Sequence, residues 1–338
     1  MVNKAVRREF SYTGITYTLF YALANGFQLL LGVLLAFTAV FSMFSDAFDL
    51  NLSLLVEHPL FMMLASIISM YVVALPVLWL MMRRIKKHPP AKAPLTFKRG
   101  FVLFLISMFM MLAGAWIGNL FAYLIETLTG TEIANTTIDT IEALDALPTV
   151  ILSVLIGPLM EEIMFRKILI DRLRIFGEKK IMVLSAVMFG LFHANLYQLF
   201  YAFGLGLVLA YIYMRTGRLR YTYLFHALIN LVFGAIPLLF VQPLQAQVEE
   251  IAAGNMEALT PAVIAAMCFS LTQYACALAG FVLLIIFARK AYYEPQPYEI
   301  PKGLSFRTIY LAPGMIIFMA GHVILIIVTI VMQVLGLA

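Results

Sequence analysis

One stretch in the middle of the chain, residues 147–165, reads LPTVILSVLIGPLMEEIMF and combines the length of a membrane span with two adjacent carboxylates. A helix needs about 20 mostly apolar residues to cross roughly 30 Å of hydrocarbon, and this run has that length. An ionisable group inside a span is costly and indicates a functional site by default. Glu161 and Glu162 therefore make this stretch both a structural and a chemical landmark.

Further apolar runs flank this one on both sides, so the sequence predicts a polytopic bundle of about nine transmembrane helices. These runs cover about 14–44, 59–82, 100–125, 181–197, 199–214, 221–241, 261–288 and 308–336. Of the 338 residues, 63% are hydrophobic and 12% are charged, whereas a soluble domain carries roughly 25% charged residues. The composition excludes a soluble enzyme and a disordered chain. It predicts an all-α, multi-pass protein of the cell membrane.

The basic residues predict the orientation of this bundle. In the nine-span arrangement all 23 Lys and Arg residues fall on one side, whereas the charged residues of the opposite loops are acidic. Lys and Arg accumulate in cytoplasmic loops. We therefore expect the N-terminus inside and the C-terminus outside, with basic patches that contact anionic lipid headgroups and no nucleic-acid partner. Apolar spacing beside acidic residues also predicts interfacial helices at 138–146 and 244–259.

The polar residues inside the spans form pairs at helical spacing. Glu162 and Arg166 are four residues apart, so they share a helix face and can pair. Glu161 is turned by about 100° from Glu162, so the two carboxylates need not do the same job. In a later span, His226 and Asn230 are also four apart and present an imidazole and an amide together. Each pair alone has a structural explanation, such as an ion pair at the rim of a span.

Two further features predict that these groups meet. Pro158 lacks a backbone N–H, which frees the carbonyl of Val154 and favours a kink one turn before Glu161. From the boundaries of the runs, Glu161, His193 and His226 are expected in the cytoplasmic half of the bilayer, where they could converge. A Glu and a His beside a water molecule can act as base and acid in hydrolysis. A second His with an amide can supply the donors of an oxyanion site.

As a set, these residues resemble the CAAX-protease and bacteriocin-processing family of intramembrane endopeptidases, also called Abi, and within it the type II CAAX prenyl proteases. The motifs are Glu161-Glu162-x-x-x-Arg166, Phe189-x-x-x-His193 and His226-x-x-x-Asn230, in this order on successive helices. The resemblance implies a protease core of four spans at 147–241. A membrane region of three spans would precede it (1–146), and one of two spans would follow it (242–338).

The resemblance also implies a role for each residue of these motifs. Glu161 with His193 would activate water, His226 with Asn230 would form the oxyanion site, and Glu162 with Arg166 would order the site or meet the substrate. We expect a metal-free glutamate mechanism with no cofactor. The alternative is a Zn²⁺ ion held by Glu161, His193 and His226, because two histidines and a glutamate are an established zinc set.

The predicted function is hydrolysis of a peptide bond at the cytoplasmic side of the membrane, in a membrane-associated peptide or protein substrate. Two alternatives use the same residues. One is an ion-coupled carrier in which the Glu/His cluster relays protons. The other is a non-catalytic immunity or scaffold member of the same family.

Overall fold

Helices make up the regular structure in the residues that the computed structural model describes, which are 4–42, 59–135 and 146–337; these residues contain no strand. The helices are α1 (Lys4–Ser42), α2 (Leu60–Met82), α3 (Phe97–Thr129), α4 (Ala146–Phe176), α5 (Glu178–Phe192), α6 (Leu196–Thr216), α7 (Leu219–Ala252), α8 (Pro261–Ala288), α9 (Lys302–Ile309) and α10 (Pro313–Val334). Apart from α5 and α9, these helices are long and apolar enough to cross a membrane. The predicted polytopic helical bundle is confirmed, with eight such spans among the described residues, while its orientation stays a prediction.

The difference between eight and nine spans lies in α5. The run predicted at 181–197 is a helix of 15 residues, about 22 Å long at 1.5 Å per residue. It ends where the chain turns at His193–Asn195 into α6, and α5 and α6 pack along each other as a hairpin. His193 therefore lies at a turn and not inside a span.

Helix α4 continues farther than its apolar run predicts. The run ends at residue 165, but the helix extends to Phe176. Arg166 and Arg172, expected in the loop that follows, are buried inside the protein. Arg166 is tolerated there because Glu162 on the same helix pairs with it. Glu161 consequently lies roughly four turns before the end of α4.

Two compact units divide the described chain, and all the candidate site residues lie in the second. The first unit combines residues up to Lys86 with Ile300–Gly321, and in it α1 packs against α2 and α9. The second combines Lys87–Glu299 with the residues from His322 onward. In the second unit, α3 packs between α6 and α8, and α4 packs against α7.

Apolar side chains from four helices form the core of the second unit at the centre of this packing. The fully or nearly fully buried members are Leu105, Met108, Met111, Leu205, Leu209, Ile229 and Ala277. Small residues allow the helices to approach closely, as is usual between membrane helices. A β-carbon at Gly280 of α8, for example, would overlap the backbone carbonyl of Leu105 in α3.

The two predicted interfacial helices have different outcomes. The prediction at 138–146 lies almost entirely outside the described residues. At 244–259 the structure has the helical segment Gln245–Ala252, which forms the end of α7, and a short 3₁₀ turn, Met256–Ala258. Most of these residues are exposed, and their position along an interface stays a prediction.

Candidate active site

The path of α4 through the site is irregular. A short α-helical segment, Gly157–Glu162, lies between two π-helical segments, Val150–Ile156 and Ile163–Ile170. Such π-bulges occur frequently at functional sites. The two carboxylates are the last residues of the α-helical segment, so the backbone changes register directly after them.

The π-helical segment before Pro158 changes the pairing of backbone groups around this proline. In a π-helix a carbonyl accepts from the residue five positions later, so the N–H missing at Pro158 would have served Ser153. The side-chain amide of Asn230 donates to that Ser153 carbonyl at 2.9 Å. The prediction that Pro158 frees the carbonyl of Val154 assumed α-helical register throughout, and it stays a prediction. Asn230 thus ties α7 to the break in α4.

Glu162 is held on two sides inside the protein. Its side chain is 0% exposed and forms an ion pair with Arg166 at 3.1 Å, as the spacing of four residues predicted. The guanidinium of Arg166 also donates to the hydroxyl of Ser185 at 3.1 Å and lies 5.1 Å from the centre of the Phe189 ring. A buried carboxylate with these contacts is fixed in position and does not face an open space.

His226 lies between the two adjacent carboxylates. Its Nδ1 donates to Glu162 at 3.1 Å, since a carboxylate only accepts, and its Nε2 lies 3.6 Å from a carboxylate oxygen of Glu161. The side chain of Glu161 is 16% exposed, in contrast to that of Glu162. The two neighbouring glutamates therefore have different environments, as their angular separation on the helix predicted.

His193 approaches the same cluster from the end of α5. Its Nδ1 donates to the carbonyl of Phe189 at 2.8 Å, which leaves Nε2 without a proton in the neutral ring. The Phe189 ring contacts both histidines, with ring centres 4.9 Å from His193 and 5.6 Å from His226. Phe189 therefore sets the separation of the two imidazoles.

A cavity of about 100 Å³ adjoins His193. Its wall includes Ile133 and Ala134, which follow the C-terminal end of α3, and residues near the end of α10. Helix α3 carries its basic residues, Lys98 and Arg99, at the opposite end. His193 therefore lies near the end of α3 that is away from these basic residues. His226 lies two turns after the start of α7, where Arg218 and Arg220 are found. The expectation that Glu161, His193 and His226 share the cytoplasmic half of the bilayer stays a prediction.

Sequence reasoning missed two polar features of the second unit. One is Tyr201 of α6, which lies in the neighbourhood of Glu161; in the sequence it was indistinguishable from the tyrosines of membrane interfaces. The other feature is an ion-pair cluster around the buried carboxylate of Glu178, which Arg174 and Arg215 both contact; Arg174 also contacts Glu294 at 2.8 Å. The spacing of four between Arg174 and Glu178 was its only local signal.

The zinc alternative requires three side chains that point at one position. Among the described residues, no group of three or more His, Cys, Asp or Glu side chains is placed to hold a metal ion. Both ring nitrogens of His226 face carboxylate oxygens, and the ring of Phe189 contacts both histidines. Glu161, His193 and His226 are therefore not arranged as a ligand set in this conformation.

Comparison with known proteins supports the resemblance that the motifs predicted. Residues 143–232 match the family model described as "Type II CAAX prenyl endopeptidase Rce1-like". A Bacillus subtilis (strain 168) protein described as "Putative membrane peptidase YdiL" is 34% identical over 107 residues. No solved structure matches the chain.

These matches define how far the similarity extends. The aligned part is 30% of this chain and 42% of the Bacillus protein, so the chain matches less than half of that relative's length. The matched region contains Glu161, His193, His226 and the rest of the cluster. The resemblance to the CAAX-protease and bacteriocin-processing family is confirmed for this region, and it supports a membrane protease.

Proposed function

We propose that this chain is an intramembrane endopeptidase in which Glu161 activates a water molecule for attack on a substrate peptide bond. One observation carries the proposal: His226 bridges a fully buried carboxylate, Glu162, and a partly exposed one, Glu161. A histidine fixed at one nitrogen by a carboxylate has its other nitrogen oriented for proton transfer.

The proposed reaction begins when water gives a proton to Glu161 and its oxygen adds to the scissile carbonyl carbon. His226 takes this proton through Nε2 while Glu162 holds Nδ1. The resulting imidazolium stabilises the oxyanion and then protonates the leaving amide nitrogen as the carbon–nitrogen bond breaks. His193, whose Nε2 is free to accept in the neutral ring, assists in positioning the water.

Asn230 has two amide protons, and the Ser153 carbonyl uses one of them. We assign the second to the oxyanion, together with His226. Glu162 and Arg166 have fully buried side chains, so we assign them to the ordering of the site and not to substrate contact. The proximity of His226 to the basic end of α7 supports cleavage in the cytoplasmic half of the membrane, in a membrane-associated peptide or protein.

The test compares newly formed N-termini in membranes of cells that produce the wild type, Glu161→Gln or Glu257→Gln. Glu257 is an exposed carboxylate in the connection after α7, so its substitution is a matched control. We expect termini within or beside membrane segments of other proteins in the wild type and the control, and their absence with Glu161→Gln. Identical termini in all three would contradict the proposal, and a carrier would lose transport without any cleaved product.

A further inference from the structure

The stretch that follows α3, Thr131–Asn135, has neither helix nor strand, and side chains from three helices take up its backbone groups. The N–H of Ile133 donates to Glu126 at 3.0 Å, and the hydroxyl of Tyr197 donates to the Ile133 carbonyl at 2.5 Å. The side-chain oxygen of Gln333 in α10 accepts from the N–H of Ala134 at 2.9 Å. The side-chain nitrogen of Gln333 donates to the carbonyl of Ala134 at 3.4 Å. Two consecutive residues thus have both backbone groups bonded by side chains.

The contact of Gln333 with Ala134 reproduces one unit of a β-ladder. In an antiparallel pair, two opposite residues exchange both N–H···O bonds, and here one side-chain amide supplies both. Recognition of this kind depends on the backbone and not on the side chain, as in the binding of extended peptides to a sheet edge. It suits any residue that has an N–H, which excludes only proline.

These side chains also line the cavity beside His193. Ile133, Ala134, Tyr197 and Gln333 are part of its wall. Its volume of about 100 Å³ is enough for a few water molecules, at about 30 Å³ each, but not for a peptide while Ile133 and Ala134 stay in place. The side chain of Ile133 is nearly fully buried, so this segment is anchored in the position that a peptide would need.

The cavity is close to the proposed catalytic groups. His193 lies in its wall, and Phe189 contacts both His193 and His226. The ring centre of Phe189 is 4.9 Å from that of His193 and 5.6 Å from that of His226. An extended peptide advances about 3.3 Å per residue, so about three residues cover the distance between the two histidines.

We propose that Gln333 and Tyr197 form a subsite that binds the backbone of an extended peptide substrate, and that Ile133–Ala134 of this chain occupies the subsite when no substrate is present. The inference rests on the proposed function and deepens it, because it names how the substrate is held. The chain's own segment then competes with the substrate for the same donors and acceptors.

This competition has a distinctive consequence. Removal of Gln333 weakens the binding of the chain's own segment and the binding of the incoming peptide alike. The two effects on the apparent affinity for the peptide therefore largely cancel when the own segment is unchanged. When the binding of the chain's own segment has already been weakened by a substitution in that segment, only the binding of the peptide still depends on Gln333. Removal of Gln333 then lowers the measured affinity for the peptide. A glutamine that merely satisfies the backbone of Ala134 would show no such dependence on background.

The experiment uses a probe that does not require catalysis. A fluorescein-labelled synthetic peptide with the sequence of residues 130–135, GTEIAN, is titrated by anisotropy against purified full-length protein carrying Glu161→Gln. Ala134→Pro, which removes one N–H, and Ile133→Ala, which removes the buried anchor, should each increase the affinity. A net hydrogen bond corresponds to a change of about 2–13-fold, and we expect an increase in this range for Ala134→Pro.

In the Ala134→Pro background, Gln333→Leu should lower the affinity by a factor in the same range or larger, because it removes two bonds. Gln273→Leu is the matched control: Gln273 also donates to a backbone carbonyl, that of Val232 at 2.7 Å, but elsewhere in the same unit. The same peptide with N-methylalanine at the position of Ala134 should bind weakly to every variant. Size-exclusion profiles establish that the variants are folded.

Equal binding of the two peptides, or a failure of both segment variants to increase the affinity, would overturn the subsite. The proposed function is tested separately by the newly formed N-termini. If peptide binding follows the pattern above but Glu161→Gln does not change the newly formed N-termini, the proteolytic function is wrong and a peptide-binding site remains. If cleavage depends on Glu161 but peptide binding does not depend on Gln333, the proposed function is retained and this subsite is wrong.

Discussion

The most informative perturbation of the site is Glu162→Gln, because it removes one charge and keeps the shape of the side chain. Glutamine still offers an oxygen to the Nδ1 of His226, so the change isolates the ion pair with Arg166. Both side chains of that pair are 0% exposed. Removal of one partner of a buried pair leaves the other charge uncompensated and typically costs about 3–5 kcal/mol.

The neighbouring carboxylate provides the control. Glu161 is partly exposed, and its carboxylate lies 3.6 Å from the Nε2 of His226, so Glu161→Gln should cost about 1 kcal/mol or less. A second control is the double variant Glu162→Gln with Arg166→Met, which removes both charges. Because a buried pair replaced by neutral groups is often near neutral in stability, the double variant should recover most of the loss.

The assay is the fraction of protein that stays monodisperse in detergent after heating, since unfolding of such proteins is commonly irreversible. With an unfolding entropy of about 2.1 cal/mol/K per residue, the midpoint of a chain of 338 residues shifts by roughly 1.4 °C per kcal/mol, so Glu162→Gln should lower it by about 4–7 °C. Glu161→Gln should lower it by about 1 °C or less. Similar midpoints for the two single variants, or a double variant no more stable than Glu162→Gln, would refute the reasoning from burial.

Three further outcomes are expected. His226→Ala should lower turnover by about 10²–10³-fold, the range for one lost oxyanion donor, and added metal should not change the residual rate. The metal-free mechanism would be contradicted if a chelator inactivated the wild type and zinc restored its activity. In a background without the native cysteines, Lys86→Cys should not react with an impermeant thiol reagent in intact cells, whereas Glu250→Cys should react. The reverse pattern would overturn the predicted orientation. Gly280→Ala should destabilise the protein by about 1–3 kcal/mol through overpacking, whereas Gly321→Ala, with no atom within 4 Å of its added methyl group, should not lower the thermal midpoint.

The apolar runs predicted most of the helices because hydrocarbon leaves the backbone no other partner for its polar groups. Their ends were less predictable where charge is buried. The run at 147–165 stopped at Arg166, since an arginine ordinarily marks the edge of a span, but Glu162 neutralises that charge inside the protein. The run at 181–197 was predicted as a span, but helix α5 ends before residue 197 because the chain turns at His193. No proline or glycine marks that turn in the sequence.

Within the site, local geometry was predictable and long-range geometry was not. The spacing of four predicted the pair of Glu162 with Arg166, and the angular step predicted that Glu161 would differ from it. The contact of Asn230 with Ser153 could not be predicted, because a π register leaves no periodic signature in one sequence. Gln333 contacts Ala134 across 199 residues of sequence, a distance at which helical periodicity carries no information.

The cost of burying charge explains why two adjacent carboxylates of one helix can serve different purposes. Glu162 pairs with Arg166 and accepts from the Nδ1 of His226, so this part of the cluster would lose stability if it moved. Glu161 is bonded less closely and retains exposure, so it can contact water without leaving a buried charge unpaired. The fixed carboxylate orients the histidine, and the histidine in turn faces the carboxylate that remains free to react. Exchange of the two glutamates' roles would require Arg166 on a different face of α4, because its position four residues after Glu162, and not after Glu161, selects which carboxylate is held.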